Sequence, residues 1–534
     1  MRTANRFIGN AARLGAGLVV AAGVSLLALQ AAQADDLVVN AGVAPSTLDP
    51  AWACGLPEIS FLQNFYVRLV QHGTRESVEG TREVDYSKIE PYLADSWEVS
   101  EDGLVYTFKL KEGFTFASGA AVDAEAVRYS LQRVLDMAGC GRFFLTDGHI
   151  DPVIIDKIEA VDALTVRITL NKPNGNMLGD LATHAGSIVD PSVVEAHGGV
   201  TPGAPNEWMS SNVAASGPFL LESYSPNQSA RMVANPKFVG KPAAASEAIS
   251  VNWISAAPTL LLQARTGQAD ITFDLSKQAA KSLEGNAGTR VLAYSNPFAQ
   301  QLILNNKQAP WDNQLVREAA ALAIPYQDII DRVAFGWGTA YFGPIMPSLP
   351  GFNAEFSKPL EMNLDRAREL IAQSGLPTPI EAALTIQEGD AAQQQLATIV
   401  QSTFAEIGIN LSINVAPAAE FQDLTQGHRV PAFMRLDGPG VFEVGYYWGY
   451  DLLCGVSFNL ADICLEGSTD KINAMRASSD PAERQAIMDE ITKQWRGAFP
   501  KIPIYEDKPV VVLSDAVTEF TFAPLPDYRY WAAK

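Results

Sequence analysis

LADSWEVSEDGLVYTFKLKEGFTFASGAAVDAEAVRYSL, residues 93–131, reads as a strand, a tight turn, a second strand, a loop and a helix. Leu104, Tyr106, Phe108 and Leu110 alternate with Val105, Thr107 and Lys109, the period-two pattern of a strand with one buried face. Asp102-Gly103 marks the hairpin, because Gly adopts the positive φ that such turns need. Asp123 is placed to cap the helix, with Glu125 in its first turn. Val127, Leu131, Val134 and Leu135 then share one helical face. By itself this is a packed ββα unit with no chemistry in it.

Outward from that unit the chain alternates strands and helices. Leu37 to Ala41 is a first strand running into Leu48-Asp49-Pro50, and Phe61 to Val70 has helical spacing. Ile154 to Ile168 reads as a hairpin, and Ile188-Val189-Asp190-Pro191 begins a helix with Pro at a tolerated position. Ala248 to Trp253 and Ala269 to Phe273 are strands flanking a helix from Ala257 to Thr266, and Gln301 to Asn305 is a short apolar strand. Helices follow at Leu364 to Ser374, around Leu396 to Ile407 and after Asp480-Pro481, the last with Ile487, Met488, Ile491 and Trp495 as its apolar stripe. This is the grammar of an α/β fold.

The wording of residues 93–131 resembles the signature of the family 5 extracellular solute-binding proteins, the dipeptide and oligopeptide receptors of bacterial ABC importers. The matching residues are Leu93-Ala94, Ser96-Trp97-Glu98, Ser100-Glu101-Asp102-Gly103, Tyr106-Thr107-Phe108, Leu110, Gly113, Phe116, Gly119, Ala124-Glu125-Ala126-Val127 and Ser130-Leu131. Leu48-Asp49-Pro50, Ser216-Gly217-Pro218-Phe219, Asn235-Pro236-Lys237-Phe238 and the proline-rich loop Gly343 to Gly351 extend the likeness over nearly the whole chain. The resemblance implies a two-lobed α/β periplasmic-binding-protein clamshell with an extra domain on the first lobe. On that frame residues 1–34 are a signal peptide, 35–78 the first segment of lobe I, 79–205 the extra domain and 206–300 the second segment of lobe I. Residues 301–502 form lobe II, and 503–534 return to lobe I.

Arg2, Arg6 and Arg13, the uncharged apolar run Leu14 to Leu29 and Ala32-Gln33-Ala34 have the three parts of a secretory leader, with cleavage expected after Ala34. No Cys follows the cleavage point, so a freely diffusing periplasmic protein is expected rather than a lipid-anchored one. The formal net charge is −21 over 534 residues and becomes more negative once three leader arginines leave. That balance argues against nucleic-acid partners and against adhesion to anionic lipid. The four cysteines, Cys54, Cys140, Cys454 and Cys464, suit an oxidising compartment and allow three pairings. The short loop between Cys454 and Cys464 favours a local bond, which leaves Cys54 with Cys140.

Catalytic and metal constellations are not expected. His72, His149, His184, His197 and His428 occur singly and read as loop or surface residues, and no cofactor or metal site is predicted. Ser468 and Lys471 match the S-x-x-K pattern of serine acyl-enzymes, but S-D-N and K-T-G are absent, so Ser468 reads as a turn or helix cap. A secreted serine acyl-hydrolase is therefore the remote alternative.

Asp437 follows the apolar segment Ala432 to Leu436, where a carboxylate beside aromatics can seat a ligand ammonium. An Asx turn before Gly438-Pro439 is the competing reading. The resemblance implies the ammonium role, since peptide-binding relatives place an Asp at about this point against the peptide α-amino group. Their text there is of the Trp-Gly-x-Asp-Tyr-x-Asp-Pro type, and this chain has Arg435-Leu436-Asp437-Gly438-Pro439-Gly440 instead. A non-peptide ligand, such as an opine, an oligosaccharide or a metal chelate, therefore stands beside a peptide. Tyr446, Tyr447, Trp448 and Tyr450 either line a pocket or fill a core, and Trp52 and Phe298 are candidates by position. The expected partners are a peptide or other small-molecule ligand and an ABC permease with its cytoplasmic ATPases, the membrane being met only through the permease. A monomer is expected.

Overall fold

A computed structural model describes residues 36–148, 153–522 and 526–534. The leader predicted at residues 1–34, its cleavage point and His149 lie outside the described residues. The signature unit forms as read. Strands Ala94–Val99 and Val105–Leu110 pair antiparallel about a turn in which Gly103 has φ +69° and Asp102 Oδ1 accepts the Leu104 N–H at 3.1 Å. Tyr106, Phe108 and Leu110 are buried while Lys109 is exposed. Asp123 caps helix Ala124–Met137 by accepting the Ala126 N–H at 2.9 Å, and Val127, Leu131 and Val134 bury the predicted face. Strands Thr165–Leu170 and Ile155–Asp162 complete a four-stranded sheet under this helix.

Two larger sheets carry the lobes. One has seven strands in the order Thr289–Ala293, Val510–Ser514, Ile271–Thr272, Leu37–Ala41, Ala248–Trp253, Ser229–Ala234, Phe219–Ser225. The other has six, in the order Gly338–Thr339, Lys501–Asp507, Ala299–Leu304, Ala432–Asp437, Ile380–Gln387, Ile409–Ala416. The boundaries read at 300/301 and 502/503 therefore fall inside strands of the second sheet, and the chain crosses between the sheets at 294–298 and 508–509. Pro503 sits at the register irregularity opposite Gln301, where a missing N–H does not break the ladder.

The helix expected over 61–70 ends early, at Leu56–Leu62. Tertiary hydrogen bonds take over the backbone beyond it: Phe65 O accepts from the N–H groups of Ser216 and Gly217, and Val67 O from Ile188. Gly217 is required here, since a Cβ would lie 2.5 Å from Phe65 C. Residues 70–91, polar in sequence, form the hairpin Val70–Glu76 with Arg82–Pro91.

The extra domain is fastened to the loop after the first strand. Cys54 is bonded to Cys140, and Asp49 holds Arg133 through two hydrogen bonds of 2.9 and 2.6 Å, both side chains buried. Cys454 is bonded to Cys464. His184, read as a loop or surface residue, is buried: its Nε2 meets Ala53 O at 3.0 Å and its ring edges against Phe144. His72 is also largely enclosed, and burial depresses both imidazoles to about 4. No helix among the described residues is long and apolar enough to cross a membrane.

Candidate functional site

Both chain crossings leave the six-stranded sheet from the same end, so that end faces the first lobe. There Ala299 lies opposite Asp437 on one neighbouring strand and Glu506 on the other. Residues two apart on a strand share a face, which brings Arg435 Nη2 to 3.1 Å from Asp437 Oδ1. The carboxylate raises the Arg435 pKa against the opposing effect of burial. Glu506 is 3% exposed and accepts from Ser348 N at 2.8 Å and Ser348 Oγ at 2.6 Å. Burial pushes its carboxyl up to about 7.

The loop after Asp437 is wedged between the crossing segment and the extra domain. A Cβ on Gly438 would sit 2.2 Å from Pro297 O and 2.8 Å from the Phe298 ring, and one on Gly440 would sit 2.5 Å from the Phe144 ring. Glycine is needed here for close approach rather than for turn geometry. Glu443 then caps helix Val444–Asp451, accepting from Tyr446 N at 2.9 Å.

That helix divides the aromatic cluster. Tyr446 meets Phe143 edge-on at 5.7 Å and stacks near Phe144, both from the extra domain. Tyr450 packs on Phe143, Tyr446 and Phe458, and its hydroxyl donates to Gly438 O. Tyr447 Oη receives Gln301 Nε2 at 3.3 Å and Lys501 Nζ at 3.4 Å, and Lys501 also holds Asp451 at 2.7 and 2.8 Å. Burial drives the hydroxyls of Tyr446, Tyr447 and Tyr450 well above the usual phenol range. Trp448 is fully buried and donates its indole N–H to Pro344 O, so it packs in the interior of the second lobe rather than on a pocket wall.

The lobes are in contact. Tyr86 of the first lobe lies 4.3 Å from Phe442 of the second, ring to ring. Arg476 Nη2 reaches Asp147 Oδ2 at 2.6 Å with both side chains buried, Gly175 N donates to Arg476 O, and Arg484 donates to Asn176 Oδ1. Trp52 packs over Gly139, where a Cβ would come within 3.0 Å of its ring. Around this junction Trp52 Nε1, Tyr86 Oη, Tyr446 Oη and Gln301 Oε1 are buried without a protein hydrogen-bond partner among the described residues. Buried polar atoms rarely stay unpaired, so the junction is suited to a ligand with several hydrogen-bonding groups.

Of the residues predicted from sequence, Asp437, Phe298, Tyr446 and Tyr447 gather at the cleft end of the second sheet. Trp52 lies across from them beside Gly139, and Trp448 falls behind. Sequence reasoning missed Tyr86, Phe143, Phe144 and the Asp147–Arg476 pair, whose partners are distant in the chain. Ser468 begins helix Ser468–Ala477 and donates to Leu465 O, while Lys471 Nζ is 2.6 Å from Glu490. The pair has no dyad geometry. No cluster of three metal-ligating side chains occurs among the described residues.

Residues 88–458 match the model of the bacterial extracellular solute-binding proteins, family 5. The chain is 29% identical over 392 residues to the probable D,D-dipeptide-binding periplasmic protein DdpA of Escherichia coli K12, covering 73% of this chain and 72% of that protein. It is 28% identical over 538 residues to the glutathione-binding protein GsiB of the same strain, covering 95% and 96%. The fold is similar to the periplasmic binding protein DppA of Helicobacter pylori solved with the peptide STSA, with TM-score 0.77 and 24% identity over 93% of this chain and 98% of that one.

Proposed function

The chain belongs to the family 5 bacterial extracellular solute-binding proteins, and we propose that it captures a peptide or peptide-like solute between its lobes and delivers it to an ABC permease. The leader at 1–34, cleaved after Ala34, places it in the periplasm, where it works as a monomer. Cytoplasmic ATPases drive the permease. The lobes move as bodies about the crossings at 294–298 and 508–509, with the extra domain carried by the first lobe.

One observation carries this reading: a carboxylate, Asp437, stands at the cleft end of the second sheet, next to a junction of buried aromatics and unpartnered polar atoms. An α-ammonium seated on Asp437 makes a charge-assisted bond, and the unpaired Tyr, Trp and Gln groups take up peptide carbonyls and amides. Ligand touching both lobes shifts the open–closed equilibrium, and no bond in it is made or broken. Calorimetry against a panel of short peptides tests this. We expect binding by the wild-type chain and at least a tenfold loss, about 1.4 kcal/mol, in Asp437→Ala; equal affinity of the two would remove Asp437 from the site.

A second reading is favoured by the Arg435–Asp437 pair, because a carboxylate that already holds a guanidinium offers less to an ammonium. A ligand with carboxylates or hydroxyls, such as an opine, an oligosaccharide or a metal chelate, can address both members of the pair. Mass spectrometry of the solute released from natively purified protein separates the two.

A further inference from the structure

Beneath the hairpin Val70–Glu76/Arg82–Pro91, the first lobe holds a cavity of about 30 Å³. Its walls include Arg68, Gln71, His72, Thr74, Asp527 and Arg529. Arg68 and Arg529 are 6% and 4% exposed, so two guanidiniums are buried here with one carboxylate between them. That carboxylate is taken: Arg529 Nε lies 2.8 and 3.0 Å from the two oxygens of Asp527. Arg68 keeps a 3.3 Å bond to Gln63 O and a place 5.7 Å from the Tyr92 ring centre, while its Nε has no acceptor among the described residues. A ring face eases a cation but does not neutralise it, and a buried charge without a counter-ion is costly.

The polar groups around the cavity are committed in one direction. A guanidinium can only donate, so the 2.9 Å contact of Arg529 Nη2 turns the Gln71 side-chain oxygen toward Arg529 and leaves its amide N–H groups over. Thr74 Oγ1 accepts from Arg82 Nε and Nη2 at 3.0 and 2.7 Å, which frees its own hydrogen to donate. His72 Nδ1 is buried and unpartnered as well. Donors of Arg68, Gln71 and Thr74 are thus left over, the carboxylate is already engaged by Arg529, and the formal charge of these buried groups is positive. A lone water needs acceptors as well as donors, and it leaves the charge in place.

We propose that this cavity is a binding site for one small monovalent inorganic anion of chloride size, held by Arg68, Gln71 and Thr74. The site is built from first-lobe residues and belongs to the stability of that lobe. Anything bound only by the folded state raises the unfolding temperature in step with its concentration.

The test is thermal unfolding of the full mature chain at fixed ionic strength, with chloride replaced stepwise by gluconate, which exceeds the cavity. The wild-type transition rises with chloride, logarithmically once the concentration exceeds the dissociation constant, and Arg68→Met, which removes the buried charge at similar length, loses that dependence. Crystals grown in bromide show an anomalous peak within hydrogen-bond distance of Arg68, which decides the matter on the wild-type protein if the variant does not fold. Superimposable wild-type transitions in the two salts, an equal chloride dependence in Arg68→Met, or a bromide-free cavity holding water only would each overturn the proposal.

Discussion

Asp147→Asn is the substitution whose consequence separates a hinged jaw from a rigid body. Asp147 of the extra domain is 2% exposed, and its Oδ2 receives Arg476 Nε and Nη2 at 3.0 and 2.6 Å across the lobe junction. Its φ is +52°, which Asn tolerates and most residues do not, so the change removes charge with little backbone strain. Removing one partner of a buried pair costs about 3–5 kcal/mol when the other charge has no escape. Arg476 has one: opening the lobes returns it to water. The penalty then falls on closure rather than folding, and part of it is recovered because Asn still accepts a hydrogen bond. A closure penalty of about 2–3 kcal/mol raises Kd by roughly thirtyfold to 150-fold, while the unfolding temperature stays within a degree or two. Calorimetric titration beside thermal unfolding reads both quantities. Unchanged affinity with a fall of several degrees in unfolding temperature would refute the reasoning, because it would mean that the two residues never part.

Three further outcomes follow from the same geometry. Glu506 has a folded pKa of about 7, above its unfolded value, so between those two values the native state holds the extra proton. Its contribution to stability falls as pH rises through that window and is flat above it; Glu506→Gln should therefore gain on wild type as pH climbs from 5 to 7.5, and a constant difference would show that the carboxyl is not held protonated. His72 and His184 act in the opposite direction. Their pKa values of about 4 mean that stability is lost as pH falls below the ordinary imidazole range, giving an acid-side decline in unfolding temperature that His184→Gln reduces. The Cys54–Cys140 bond closes a separation of 86 residues against 10 for Cys454–Cys464. Loop-closure entropy puts the first at about 4–5 kcal/mol and the second at about 2–3 kcal/mol, so paired Cys→Ser variants in urea should rank in that order.

How much of this was legible depended on how local the cause was. The signature unit was readable because its alternation, its Asp102-Gly103 turn and its Asp123 cap all act within a few residues. The strands Leu37–Ala41 and Ala248–Trp253 were readable for the same reason. The segment 61–70 was misread because its helical spacing loses to backbone bonds from Ile188, Ser216 and Gly217, which are remote in sequence. At the site, Asp437 could be picked out because it ends an apolar strand. Phe143, Phe144, Tyr86 and the Asp147–Arg476 pair could not, because their partners across the junction, Tyr446, Phe442 and one another, are remote in sequence; the two charges are 329 residues apart. Trp448 looks like its neighbours in sequence, and only its indole bond to Pro344 O shows that it packs within the second lobe.

Small-angle scattering of the mature chain, stripped of solute and then titrated with the ligand released from native preparations, tests the central claim most directly. A clamshell that grips its solute should compact on titration, with the radius of gyration falling to a saturating limit and the ligand recovered unaltered. An unchanged scattering profile at saturating ligand, or recovery of a chemically converted product, would contradict it.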